Sequence, residues 1–371
     1  MASITRHATT LADGRELIYF DDADTALGPE RAVDARVLDP RPDTATMRQD
    51  PLTAEWVSIA AARQNRVYLP PADKDPLAPA SPSNPSEIPS NYDVAVFENR
   101  SPSFGPALGG DNAPQGLADL DELGIGRTRT SIGRCEVVCF SPETRGSFGS
   151  QTVSRARTVI EAWADRTAAL SALPGIQQVF PFENRGEAIG VTLHHPHGQI
   201  YAYPYITPRT QRLISSIERM PDLFSRVLEF ELASERVVLR GEHWSAFVPF
   251  AARWPLEVHM LPHRHVPDFA ETSDAERDEL APMYRTILRG LDRIYDTETP
   301  YISAWHQAPV NVHREDIRLM LQVTSPRRAA DKLKYLAGSE AAMGAWIGDV
   351  APEHTAELVR GGIAAARRDD S

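Results

Sequence analysis

The chain has 371 residues, 42% of them hydrophobic, and a formal net charge of -12. The length holds one large domain or two ordinary ones, and the apolar share excludes wholesale disorder. The acidic balance excludes non-specific nucleic-acid binding, which needs Lys and Arg against phosphates, and no run approaches the roughly 18 apolar residues of a membrane span.

The N-terminal MASITRHATTLADGRE has no apolar stretch of signal-peptide type, so a cytoplasmic protein is expected. Residues 1–50 are polar and broken, with one strand expected at Glu16–Phe20. Residues 70–90 are dense in proline and read as an irregular loop. A strand follows at 94–97, and residues 101–133, rich in Gly, Pro and Asp, read as a second long loop. The alternating run Arg134–Phe140 carries both cysteines, Cys135 and Cys139, on one face of a strand. They read as buried thiols of a reducing compartment, too few to make a zinc site.

A helix is predicted over Ser154–Leu173, with Val159, Ile160, Trp163, Leu170 and Leu173 on one face. Strands are expected at Gln177–Phe182, Gly190–His194 and Gln199–Tyr203, then at Arg236–Arg240, Ser245–Pro249 and Glu257–Pro262. The capping box Ser273 to Glu276 opens a helix over 274–297, a strand follows at Ile317–Thr324, and an alanine-rich helix covers 352–368. Strands, a long helix, then strands again define an α+β fold with antiparallel sheets. The order recurs after about 120 residues, which implies two diverged copies of one unit, 1–215 and 216–371. Only the first copy ends in a histidine-rich strand; the matching segment of the second reads Leu319-Met320-Leu321-Gln322.

That strand reads His194-His195-Pro196-His197-Gly198-Gln199. Two-residue periodicity places His195 and His197 on one side with Gln199 after them. Pro196 stiffens the pair, and Gly198 leaves room for a ligand against the backbone. A neutral imidazole attacks phosphorus, and the Gln199 amide donates to a phosphoryl oxygen in transit. His197, Gln199 and His195 are the candidate catalytic residues. A metal site on His195 and His197 is the alternative, and it lacks an HExxH motif or a carboxylate-rich partner.

These residues, from about Asp13 to Ala365, resemble the galactose-1-phosphate uridylyltransferases, a branch of the histidine-triad superfamily with a HIT-like fold in two tandem units. The resemblance implies that His197 carries a covalent uridylyl group and that Gln199 contacts the phosphoryl oxygen. Phe182-Glu183-Asn184-Arg185-Gly186 is similar to a family segment that implies phosphate binding by Asn184, with Thr192 nearby. Val96-Phe97-Glu98-Asn99-Arg100 implies a uridine contact at Asn99. Asp50–Trp56 resembles the family's opening strand, and the following Arg63 and Arg66 are implied at the phosphates. Lys332–Glu340 resembles the hexose-binding stretch, implying Lys334, Tyr335 and Glu340. The expected substrates are a UDP-sugar and a sugar 1-phosphate, exchanged in galactose metabolism by a homodimer. Transfer to another sugar phosphate, transfer of AMP, phosphorolysis, and a non-catalytic nucleotide-binding paralogue are the rival readings.

The sequence departs from the family at its metals. Asp75-Pro76-Leu77-Ala78 stands at a zinc-binding Cys-x-x-Cys, and Thr144 stands near an expected histidine, which leaves His195 alone. His306 of the second metal set remains, but Met320 and Gln322 replace histidines and Leu213 falls near the expected glutamate. No metal and no other cofactor is therefore expected.

Overall fold

The computed structural model describes residues 3–41, 45–65, 68–105, 118–119 and 124–369. Alternating apolar residues build eleven strands of one sheet: β1 (Thr5–Thr10), β2 (Glu16–Asp21), β3 (Val94–Glu98), β4 (Arg134–Cys139), β5 (Gln178–Arg185), β6 (His197–Tyr203), β7 (Val237–Arg240), β8 (Trp244–Phe247), β9 (Leu256–Pro262), β10 (Tyr301–His306) and β11 (Met320–Ser325). Among the described residues the α-helices are α1 (Val153–Ser171), α2 (Pro208–Ile217), α3 (Leu223–Leu232), α4 (Asp274–Arg293), α5 (Gly338–Met343) and α6 (Pro352–Arg368).

The strand order is β1-β2-β3-β4-β6-β5-β10-β11-β9-β8-β7, with every neighbouring pair antiparallel. The α+β class with antiparallel strands is as expected. Within this order β3, β4, α1, β5, β6 and β8, β9, α4, β10, β11 trace the same path, and the two halves meet where Tyr301 pairs with Arg185 and Ala304 with Phe182. Registers match too. Gln199 pairs with Phe182 and Val137, and Gln322 pairs with Ala304 and His259. Gln322 thus stands where Gln199 stands, and Met320 where His197 stands.

One sheet face packs on the long helices. Ile200, Ala202, Val138, Val258 and Leu321 join Val159, Trp163, Tyr284, Ile287 and Leu291 in a single core. At its centre the Phe148 ring lies 4.4 Å from that of Tyr284 and 5.4 Å from that of Trp163. Thr152 caps α1 by accepting from Arg155 N at 3.1 Å, and the Ser273–Glu276 box caps α4. The opposite face carries His197, Gln199, Tyr201 and Tyr203, alternating with the buried residues of β6.

Four expectations fail here. Gly190–His194 is not a strand: Glu187–Ile189 forms a 3-10 turn closed by Gly190 at φ 82°, and the Thr192 carbonyl accepts from Leu69 N at 2.8 Å, outside the sheet. Asp50–Glu55 is a hairpin turn rather than part of an opening strand, closed by Ala54 N to Asp50 O at 2.8 Å. The stretch 101–133 contributes Ala118–Asp119 and Arg127–Thr130 to a four-stranded sheet with Thr46–Gln49 and Trp56–Ile59. Helices α2 and α3 occupy a connection where none was expected.

Candidate active site

Strand β6 begins at His197, and the bend before it decides what the histidines do. The Pro196 carbonyl accepts from Phe140 N at 2.9 Å, which pins the bend to the end of β4. His197 Nδ1 lies 2.7 Å from the His195 carbonyl oxygen. A carbonyl only accepts, so Nδ1 carries the proton and the Nε2 lone pair is left unpartnered. Burial holds the His197 pKa down to about 4, so the ring is neutral at pH 7.

His197 faces a cavity of about 320 Å³ walled also by Arg145, Gly146, Glu183, Asn184 and Arg185. Arg145 is exposed, with no hydrogen bond or ion pair among the described residues. Its guanidinium fork suits phosphate oxygens. Arg185 is committed to Asp292 at 2.8 Å. Glu183 accepts from Phe148 N at 3.0 Å and Tyr301 Oη at 2.9 Å, and burial pushes its pKa up to about 7.

The space that Gly198 leaves is filled by the protein itself. A Cβ there would meet the Phe140 ring at 2.9 Å and the Phe182 carbonyl oxygen at 2.9 Å, so the glycine lets β6 lie close to the core. Gln199 follows on the face of His197, its side chain half-buried.

His195 is not on the strand. Its ring is buried, with Nδ1 2.7 Å from Asp75 Oδ2 and Nε2 2.8 Å from Tyr92 Oη and 2.9 Å from the Ser141 carbonyl oxygen. Both ring nitrogens are taken, and the carboxylate bonds straight to the ring. The set does not fit a zinc ion, whose bonds to nitrogen and oxygen run about 2 Å each. At the second family metal position His306 Nε2 bonds Gln322 Oε1 at 3.1 Å, and Gln322 Nε2 donates to Glu257 Oε1 at 2.7 Å. Burial, with Arg209 beside it, holds the His306 pKa down to about 3. Among the described residues no three His, Cys, Asp or Glu side chains are disposed around a common metal position.

The other expected residues divide by place. Asn184 shares the cavity with His197, whereas the Thr192 side chain is not among its walls. Asn99 sits beyond β3, its Oδ1 accepting from Ser101 N at 2.9 Å, and the Ser101 carbonyl accepts from Arg63 Nη1 at 3.1 Å. That corner lies level with Cys135, four residues along β4 from the partner of His197, which is roughly 13 Å. Arg66 lies outside the described residues. Lys334 and Glu340 are buried and bonded to each other at 2.7 Å, while Tyr335 is 79% exposed. Tyr335 borders a separate cavity of about 190 Å³ that shares only Ala188 with the first.

Sequence reasoning missed Arg145, Asp75 and Tyr92. Arg145 ends the turn after β4, where Pro142 and Gly146 mark a loop, but nothing local shows which way that loop folds.

A neutral histidine with a fixed tautomer lies on a helix-backed antiparallel sheet and faces a cavity whose Arg145 has no partner among the described residues, a geometry suited to nucleophilic attack by imidazole on phosphorus. The comparisons narrow the class. The N-terminal domain of galactose-1-phosphate uridyl transferase matches residues 37–207 and the C-terminal domain matches residues 216–360. The chain belongs to the galactose-1-phosphate uridylyltransferase family, whose members are nucleotidyltransferases. It is 44% identical to the Streptomyces lividans galactose-1-phosphate uridylyltransferase over 95% of this chain and 96% of that one. It is 36% identical to the Thermotoga maritima enzyme over 85% and 97%. Among solved structures, a uridylyltransferase with 27% identity superposes with a TM-score of 0.75 over 86% of this chain and 99% of that one.

Proposed function

We propose that this chain moves UMP from UDP-glucose to galactose 1-phosphate through a covalent intermediate on His197. The observation that carries the reading is the unpartnered Nε2 of a neutral, tautomer-locked His197 in the cavity wall. Nε2 donates its lone pair to the α-phosphorus, the bond from that phosphorus to the bridging oxygen breaks, and glucose 1-phosphate leaves with the electron pair. The ring becomes cationic, and the His195 carbonyl at Nδ1–H stabilises it. A phosphate oxygen of galactose 1-phosphate then attacks the same phosphorus, the N–P bond breaks, and neutral His197 returns. Gln199, Arg145 and Asn184 offset the charge on the phosphoryl oxygens.

The reading assigns the reaction no metal. It places the enzyme in the cytoplasm, where Cys135 and Cys139, both buried, stay as free thiols. No helix among the described residues is long and apolar enough to cross a membrane. It also makes the enzyme a homodimer with each site built from both chains, because Tyr335 lies away from the His197 cavity of its own chain. Lys334 and Glu340 then brace the segment that presents Tyr335 to the partner's sugar.

Mixing the protein with UDP-glucose tests the reading. Release of glucose 1-phosphate and a mass gain of one UMP are expected. His197→Gly should abolish both while keeping the wild-type melting profile; turnover by that variant would end the assignment.

A further inference from the structure

Three segments distant in sequence converge on the His195 ring. Asp75 comes from the proline-dense loop, Tyr92 from the run into β3, and Ser141 from the turn after β4. The Asp75 carboxylate accepts from Nδ1–H, and the Ser141 carbonyl oxygen and the Tyr92 hydroxyl close around Nε2. The Tyr92 hydroxyl, 2.8 Å from Nε2, also lies 2.8 Å from the Leu77 carbonyl oxygen and 2.9 Å from that of Ser141. The second Asp75 oxygen accepts from Leu77 N at 2.9 Å. Asp75 is 5% and His195 3% exposed, a depth at which polar groups persist only with partners of this kind.

What this clamp holds is the peptide of His195. Its carbonyl is the acceptor for His197 Nδ1–H. If that peptide turns, the imidazole loses the bond that keeps its proton on Nδ1 and its lone pair on Nε2. None of the clamp side chains has a part in the transfer chemistry itself. Its hydrogen bonds meet at the ring, and through the side chain they limit how far the His195 backbone can turn.

We propose that Asp75 is a positioning residue for the transfer: by gripping the His195 ring it fixes the carbonyl that orients the nucleophile. The proposal rests on His197 being the nucleophile.

The test uses full-length enzyme with UDP-glucose and galactose 1-phosphate, measuring kcat and both KM values with and without 1,10-phenanthroline. Asp75→Ala is expected to lower kcat about 10–100-fold, the usual cost of removing a residue that orients a site histidine. Both KM values should stay within about twofold, because Asp75 is buried and is not among the walls of the His197 cavity. Asp75→Asn, which can still accept from the ring, should recover most of kcat. The chelator should leave wild-type turnover unchanged. If Asp75→Ala folds poorly, Tyr92→Phe removes one hydroxyl and should lower kcat about threefold, in line with one neutral hydrogen bond. Wild-type kcat in Asp75→Ala, or in Tyr92→Phe where Asp75→Ala does not fold, would overturn the proposal. So would a loss confined to KM, or wild-type activity lost to the chelator. A dead His197→Gly beside an unimpaired Asp75→Ala removes only the clamp, whereas an active His197→Gly removes the reading beneath it.

Discussion

At the scale of single residues, the site runs on two titratable groups pushed apart by burial. His197 is held neutral to about pH 4, well below a free imidazole. The rate of the first half-reaction should therefore stay level as pH falls from 8 to about 5, then drop as the ring protonates. A stopped-flow pH profile with its acid limb at about 6.5 would mean a solvated ring and a different nucleophile geometry. Glu183 moves the other way. Its carboxyl ionises near 4.5 when solvated and near 7 in the fold. Between those values the native state holds a proton that the unfolded chain has lost. Its contribution to stability is thus full below pH 4.5 and is lost as pH rises to about 7. The span corresponds to roughly 3–4 kcal/mol. Glu183→Gln keeps an acceptor oxygen for Phe148 N, turns its amide N–H to the Tyr301 hydroxyl, which can accept, and cannot ionise. Its melting temperature should fall less between pH 5 and pH 8 than that of the wild type. Equal falls in thermal melts would show that Glu183 does not titrate in this range.

At the scale of elements, β6 joins chemistry to core. Gly198 points its missing side chain at Phe140 and the Phe182 carbonyl, so Gly198→Ala forces the strand outward. Overpacking of this kind costs about 1–3 kcal/mol, and here it also displaces His197. Both the melting temperature and kcat should drop; an unchanged kcat would mean that β6 tolerates the shift. Elements of strong periodicity were legible in sequence. The capping box marked the start of α4, and alternation located β4 and β9 to within two residues and β5 to within three. The 190–194 segment was not legible, because it has the apolar alternation of a strand while its hydrogen bonds run to Leu69 and a 3-10 turn. His197 and Gln199 stand out through local composition. Asp75, Tyr92 and Arg145 reach the site only through tertiary folding, across sequence gaps that no local pattern spans.

At the scale of the whole molecule, the two copied units share one sheet but not one chemistry. Met320 stands in the second unit where His197 stands in the first, so the proposed nucleophile has no histidine counterpart in the second unit. Tyr335 extends from that second unit, largely exposed and bordering a different cavity from the one His197 faces. In a two-fold dimer the same surface appears twice, and a segment lent to the partner is returned by it. Mixing inactive variants tests this directly. His197→Gly lacks the nucleophile, and Tyr335→Ala lacks the exposed ring. If each site takes His197 from one chain and Tyr335 from the other, a mixed dimer contains one intact site. After denaturation and joint refolding of equal amounts, half of the dimers are mixed, and about a quarter of wild-type activity should return. If both residues served the same chain's site, every site in the mixture would lack one of them. Activity would then stay at the sum of the separate variants, and the site would be built within a single chain.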